Sequence, residues 1–128
     1  MVRELPQEID LNALPCTITK VLTKSDVNGL SRLLLETSAV ETHILPNLSE
    51  DDQNKIQDGV GVDVEVFDED TRTEHKLTLK RMVYTTRSYV LNGVWIKQFV
   101  QRRELKRGNR IGFFWNGFSS RLHFCVLP

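Results

Sequence analysis

Between Val60 and Phe67 the chain reads Val-Gly-Val-Asp-Val-Glu-Val-Phe, with valine at 60, 62, 64 and 66 and glycine or an acid between them. A period of two puts the valines on one side of an extended strand and the acids on the other. The segment therefore predicts a strand with one buried and one solvated face, and a sheet to pair with it. Apolar residues make up 40% of the 128 residues, enough for one domain with a true core and too few for two comfortable ones.

The flanking sequence supplies further short strands separated by turn chemistry. Residues 1–15 read as an N-terminal arm or a short helical turn, leading into a domain over residues 16–128. Cys16 to Leu22 is rich in β-branched residues and reads as a strand. Thr23 to Ser31 is a turn centred on Asn28-Gly29, and Arg32 to Leu35 resumes as a strand. Thr37 to His43 opens with potential capping hydroxyls and predicts a short helix. The polar, acidic stretch from Leu45 to Gly59 reads as a surface loop. After Val60–Phe67 come a turn at Asp68–Thr71, a strand over Glu74–Met82 with Leu77 and Leu79 inward, and a strand over Tyr89–Leu91 broken by Asn92-Gly93. Val94 to Glu104 is the clearest helix, with Trp95, Ile96, Phe99 and Val100 on one face. Arg102, Arg103, Lys106 and Arg107 crowd its C-terminal end, where cations complement the helix dipole, and Gly108 suits a left-handed stop. Arg110–Trp115 and Arg121–Leu127 are two strands around the loop Asn116–Ser120. About seven short strands and two short helices, joined by turns in sequence, favour a mainly β fold of barrel type over a βαβ sheet.

The chemistry that would mark an enzyme is missing from the pattern. His43, His75 and His123 share no metal-ligand spacing with each other or with Cys16 and Cys125, and the two cysteines read as separate buried free thiols. There is no phosphate-cradling glycine loop and no nucleophile elbow. The carboxylates between Glu50 and Asp70 lack a marked acid–base partner and read as a solvated face. No catalytic residue, metal, cofactor or small-molecule substrate is expected. No apolar run approaches the roughly 20 residues needed to span a bilayer. The acids and prolines of residues 1–15 do not suit a secretory leader, so a soluble intracellular protein without a membrane partner is expected.

Net charge is zero, from 17 basic and 17 acidic residues, but the charges are segregated. From Glu41 to Glu74 there are eleven acids against Lys55 and Arg72; from Lys76 to Arg110 there are ten bases against Glu104. Such separation gives a neutral molecule the means to present one positive face to phosphates.

Two segments carry a family resemblance. Lys20-Val-Leu-Thr-Lys-Ser-Asp-Val-Asn-Gly-Leu-Ser-Arg-Leu33 resembles the opening of plant B3 DNA-binding domains. Ser88-Tyr-Val-Leu-Asn-Gly-Val-Trp-Ile-Lys-Gln-Phe-Val100, followed by Leu105-Lys-Arg-Gly-Asn-Arg-Ile-Gly-Phe-Phe-Trp115, resembles the later strand, Trp-bearing helix and strand entry of the same family. With the ending Arg121–Leu127, the likeness spans about residues 16–128 and is nearest to a divergent plant subfamily. It implies a seven-stranded open β-barrel, or pseudobarrel, with two flanking short α-helices, shared with recognition domains of some restriction endonucleases. It also implies two arms that grip the major groove of double-stranded DNA, from about Lys20 to Thr37 and from about Lys80 to Ser88. The expected contacts on the first arm are Lys20, Lys24, Ser25, Asn28, Ser31 and Arg32. On the second they are Arg81, Thr85, Thr86 and Arg87. Arg32 is expected to read a base through its planar fork, while Lys20 and Lys24 are expected to hold phosphates.

Three positions depart from the family pattern. Val83-Tyr84 stand where many members have Trp-Asn, Glu36-Thr37 where Pro-Lys is common, and Gly108-Asn109 where Gly-Asp is usual. The resemblance implies the DNA-binding domain of a plant transcription factor in the nucleus, with other transcription factors or a second copy as further partners. The alternative is a B3-like protein-interaction module that has lost DNA binding. An ion pairing of Asp26 and Glu36 with Lys24 and Arg32 would silence the first arm and favour the alternative.

Overall fold

A computed structural model describes residues 16–82 and 88–128; residues 1–15 and 83–87 lie outside the described residues. Among the described residues seven strands form one sheet: β1 (Ile18–Val21), β2 (Leu33–Leu35), β3 (Val62–Asp68), β4 (Thr73–Arg81), β5 (Tyr89–Gly93), β6 (Arg110–Asn116) and β7 (Arg121–Leu127). Their order across the sheet is β1-β6-β7-β3-β4-β5-β2. All neighbours are antiparallel except β3 and β7, which run parallel with Val66 opposite Leu122. The sheet curls into a nearly closed barrel whose two edges, β1 and β2, share no backbone ladder. The expected mainly β pseudobarrel is the observed fold, with α2 (Thr37–His43) and α3 (Glu50–Gln57) as its two longer helices.

The valine strand folds as its period dictates. Val64 and Val66 are buried, Asp63 and Glu65 are exposed, and Val62 is half-buried. Val60 instead lies before β3 and is 72% exposed. Barrel-facing side chains from every strand meet Trp95, Phe99 and Val100 in one continuous core. Trp95 stacks on Phe99 at 5.3 Å, and Phe124 meets both edge-on.

Three expectations need correction. The stretch Leu45–Gly59 is not a loop: it holds a 3-10 turn at Leu45–Asn47 and the helix α3. The Ser49 hydroxyl caps α3 by accepting from the Asp52 amide at 3.1 Å. Glu50, Asp51 and Asp52 crowd its first turn, and Lys55 its last, so the charges oppose the dipole at both ends. Ile56 is its one fully buried residue, so no apolar stripe betrays the helix. Secondly, the turn over Thr23–Ser31 contains a short helix, α1 (Lys24–Val27), formed around a buried Asp26. Thirdly, the helix after Gly93 is wound wide over Ile96–Gln101 and closes with the Leu105 amide bonding five residues back to Val100. Burying Trp95, Phe99 and Val100 together suits that wider turn.

Two buried carboxylates tie the elements together. Asp26 reaches across the gap between the barrel edges. Its carboxylate accepts from the Thr23 amide and hydroxyl at 2.8 Å each, from the Leu34 amide at 3.1 Å, and from Lys20 Nζ at 3.0 Å. Lys20 also donates to the Leu34 carbonyl, so a β1 side chain is stapled to β2 through α1. The Asp26 carbonyl accepts from Trp95 Nε1 at 2.8 Å, which anchors α1 to the core.

Asp68, expected in a turn, ends β3 fully buried and is held by Arg102 at 2.7 Å and Arg103 at 2.6 Å. Arg103 also pairs with Asp70 at 2.9 Å. These two arginines thus serve Asp68, where the sequence suggested only helix-end charge.

Burial pushes both aspartates toward higher pKa, but the hydrogen bonds to Asp26 and the arginines around Asp68 outweigh it. Both end below the ordinary value of 3.8. A carboxyl depressed on folding stabilises the fold fully above its ordinary value and loses that contribution as pH falls through the depressed one. Stability is therefore expected to hold above pH 3.8 and to fall below it, with a shallower fall in Asp26→Ala or Asp68→Ala; urea denaturation across acidic pH measures this. Asp68→Ala, which strands two arginines, is expected to cost roughly 3–5 kcal/mol at neutral pH.

Candidate nucleic-acid interface

The gap between β1 and β2 is an open cleft of about 540 Å³, lined by Thr19, Lys20 and Val21 on one side and Leu34, Leu35 and Glu36 on the other, with Ser88 at its border. At one end α1 and residues 28–32 project as an arm. Ser88, the last residue of the second expected arm, also lines the cleft. The open seam is therefore bordered by the first expected arm, while most of the second lies outside the described residues.

The arm is shaped by short polar side chains. Asn28 Oδ1 accepts from the Leu30 amide at 3.0 Å and closes a tight turn. Ser31 stands at φ +60°, a left-handed conformation uncommon outside glycine, and swings the chain into β2. Ser25 shares a 3.2 Å hydrogen bond with the Thr23 hydroxyl. Lys24, at the start of α1, is exposed.

Arg32 enters β2 on its outer face. With Ser31, Leu30, Lys80, Asn92 and Met82 it lines a groove of about 500 Å³. The register explains the grouping: Lys80 faces Val90 and Leu33 faces Leu91, so Arg32, Lys80 and Asn92 all lie opposite the core-facing leucines. Arg32 Nη1 is enclosed and, among the described residues, has no hydrogen-bond partner. A buried charged donor left unpaired is costly until an acceptor arrives.

The remaining expected contacts are placed as follows. Lys20 turns inward, its ammonium occupied by Asp26 and the Leu34 carbonyl; it holds the arm and is not directed outward. Arg81 lies on the opposite face from Lys80 and donates to Gln57 Oε1 at 2.7 Å. Gln57 in turn donates to Tyr89, whose hydroxyl donates to Glu41. Thr85, Thr86 and Arg87, like Val83 and Tyr84, lie outside the described residues. Lys80 and Asn92, which line the groove with Arg32, were not among the expected contacts. The strand alternation carries their signal, since Lys80 must oppose Leu79 whereas Arg81 shares its side.

The silencing ion pairs do not form. Asp26 pairs with Lys20, and Glu36 accepts from the Ser38 hydroxyl at 2.9 Å. Among the described residues neither Lys24 nor Arg32 lies within 4.0 Å of a carboxylate.

Cys16 and Cys125, remote in sequence, meet with Sγ atoms 3.2 Å apart as free thiols. Cys16 packs over Gly112, where a Cβ would strike its Sγ at 2.7 Å. Burial, with Cys16 beside it, pushes the Cys125 thiol up to about 12. Among the described residues no cluster of three or more His, Cys, Asp or Glu could hold a metal ion, and no helix is long and apolar enough to cross a membrane.

A seven-stranded barrel left open between its first two strands, with the short helix α1 beside the gap, defines a class of β-pseudobarrel. A family model described as "B3 domain-containing protein At5g26805, C-terminal domain" matches residues 16–127. The chain belongs to the B3 domain family. It is 57% identical over 99 residues to the putative B3 domain-containing protein At1g78640 of Arabidopsis thaliana, covering 77% of this chain and 20% of the relative. It is 42% identical over 118 residues to the Arabidopsis B3 domain-containing protein At4g02870, covering 91% of this chain and 36% of the relative. It thus spans only a fifth and about a third of the length of these two relatives.

Among solved structures, the Arabidopsis FUS3–DNA complex superposes with a TM-score of 0.69 at 22% identity, over 88% of this chain and 97% of that one. The Arabidopsis LEC2–DNA complex follows at 0.66 and 20%, over 87% and 91%. The N-terminal domain of Helicobacter pylori LlaJI.R1 matches at 0.54 and 9%, over 86% and 79%. At these identities the likeness is one of fold, and that fold is the B3 pseudobarrel.

Lys20→Met is expected to lower the unfolding free energy by roughly 1.5–3 kcal/mol, the range for hydrogen bonds to charged groups. Lys24→Ala should leave it within about 0.5 kcal/mol. Chemical denaturation of the two variants separates the buried cation from the exposed one.

Proposed function

We propose that this chain is a sequence-reading, double-stranded DNA-binding domain of a plant transcription factor acting in the nucleus, and that it is not an enzyme. The observation that carries the reading is Arg32: a guanidinium with one nitrogen enclosed and unpaired among the described residues, in a groove that also holds Lys80 and Asn92. A guanine edge presents two acceptors in the major groove, matched to the planar fork of arginine. Asn92, Ser31 and the free amide nitrogen of Asn28 supply short polar groups of the kind that contact bases and phosphates. Lys24 and Lys80 are assigned to phosphates, and Arg81, Thr85, Thr86 and Arg87 remain the expected contacts of the second arm. Lys20 positions the arm.

Membership of the B3 family supports the reading, as does the fold shared with two B3 domains solved on DNA. The retained freedom of Lys24 and Arg32 weighs against a module that has traded DNA for protein.

Selection of bound duplexes from a random pool tests the proposal. The wild-type domain is expected to enrich one motif, with affinity falling as salt rises by a log–log slope of roughly −0.9 per neutralised phosphate. Arg32→Ala is expected to cost about 1–3 kcal/mol and to relax preference at one base pair. Salt-sensitive binding without a motif would reduce the domain to a nonspecific clamp. No binding at low salt would overturn the reading and leave the protein-interaction module in its place.

A further inference from the structure

The basic block of the sequence is not spent on one purpose. Arg102 and Arg103 are absorbed by Asp68, but the cations that follow them are left over. Lys106, Arg107 and Arg110 are exposed, and among the described residues none has a carboxylate within 4.0 Å. Arg110 makes one long contact of 3.4 Å, to the Pro128 carbonyl. Glu104 is the only acid between Arg103 and the end of the sequence.

Their place in the fold is fixed by backbone bonds to the first arm. The Leu22 amide donates to the Asn109 carbonyl, and the Gly108 amide donates to the Leu22 carbonyl, each at 2.8 Å. Asn109 Oδ1 accepts from the Lys106 amide at 2.7 Å, and the Asn109 amide donates to the Lys106 carbonyl at 3.0 Å. This tight turn holds Lys106 and Arg107 outward, locked to the residue two before Lys24. Arg110 opens β6 directly opposite Val21, whose 56% exposed side chain borders the seam. The loop thus extends the row of free cations beyond α1, on the side of the arm away from Arg32 and Lys80.

We propose that the turn Lys106–Arg110 is a further DNA-backbone site. It would bind phosphodiesters flanking the read bases and lengthen the footprint past the first arm. The inference rests on the DNA-binding reading of the seam. Three exposed cations without a carboxylate side-chain partner among the described residues repel one another, on a molecule of zero net charge. A polyanion in the adjacent cleft relieves that repulsion, without any sequence information.

The test measures binding of a labelled random-sequence duplex pool by the wild-type domain and by Lys106→Ala/Arg107→Ala/Arg110→Ala across a series of salt concentrations. The triple variant is expected to show a salt slope shallower by roughly 0.9 for each phosphate contact removed, an equal loss on every duplex, and an unchanged selected motif. The charge-keeping triple Lys106→Arg/Arg107→Lys/Arg110→Lys is expected to restore the slope, which guards against misfolding as the cause. Lys55→Ala, a cation already paired with Asp51 at 3.3 Å, is expected to change nothing, which guards against a net-charge effect. If the wild-type domain binds and the alanine triple matches it in slope and affinity, the turn is no contact and this inference falls alone. If the wild-type domain binds no duplex at low salt, the parent reading falls and takes this one with it.

Discussion

The four hydrogen-bond donors that converge on the Asp26 carboxylate hold together what the backbone leaves apart. A closed barrel joins its first and last strands by a ladder of amides and carbonyls. Here β1 and β2 do not pair, and the job passes to one acid, one lysine and the short helix between them. Because Asp26 also accepts from Trp95 through its carbonyl, the arm is referenced to the aromatic core. Arg32 and the Asn28 turn inherit their positions from that anchor.

The second organising pattern is how charge is divided between structure and surface. The acidic block of the sequence is not one solvated face. Asp68 and Asp70 are consumed by arginines, the acids before Gln53 favour the start of α3, and Asp63 accepts from Thr78 on the barrel exterior. The basic block splits in the same way, with Arg102 and Arg103 paired to Asp68 and, among the described residues, Lys80, Lys106 and Arg107 left without acids. A neutral total thus conceals an uneven division: Lys20 at the seam and Arg102 and Arg103 at Asp68 are spent on internal pairs, while other bases stay exposed.

How much of this the sequence disclosed follows from which residues carry a period. The strands were readable because side chains alternate faces, as in Val62 to Val66 and Leu77 to Leu79; the helix at Thr37–His43 was read from its opening hydroxyls, although Glu36 stands at its N-cap without a side-chain hydrogen bond and Val40 alone is buried. The helix α3 was hidden because Ile56 alone reaches the core. Its capping serine and first-turn acids were the signal, and they look the same in a polar loop. Asp26 could not be told from a turn aspartate, nor Asp68 from its neighbours, since burial of a carboxylate is decided by partners far along the chain. The same holds for Lys20, an apparent phosphate ligand in sequence and a structural cation in space, and for Cys16 and Cys125, which meet only because Gly112 leaves room.

The unzipped seam also bears on contact between copies of the domain. Each of its edges carries backbone amides and carbonyls that could template a strand from another chain. Lys20, turned inward to Asp26 and the Leu34 carbonyl, bridges the two edges across the gap. Such a lock is shared: Lys20 and Asp26 guard β1 and β2 together, so neither edge can be uncovered without the other. Damage at this point therefore changes more than the folding equilibrium. It frees two unpaired strand edges together, the kind of border along which strands of separate copies can pair.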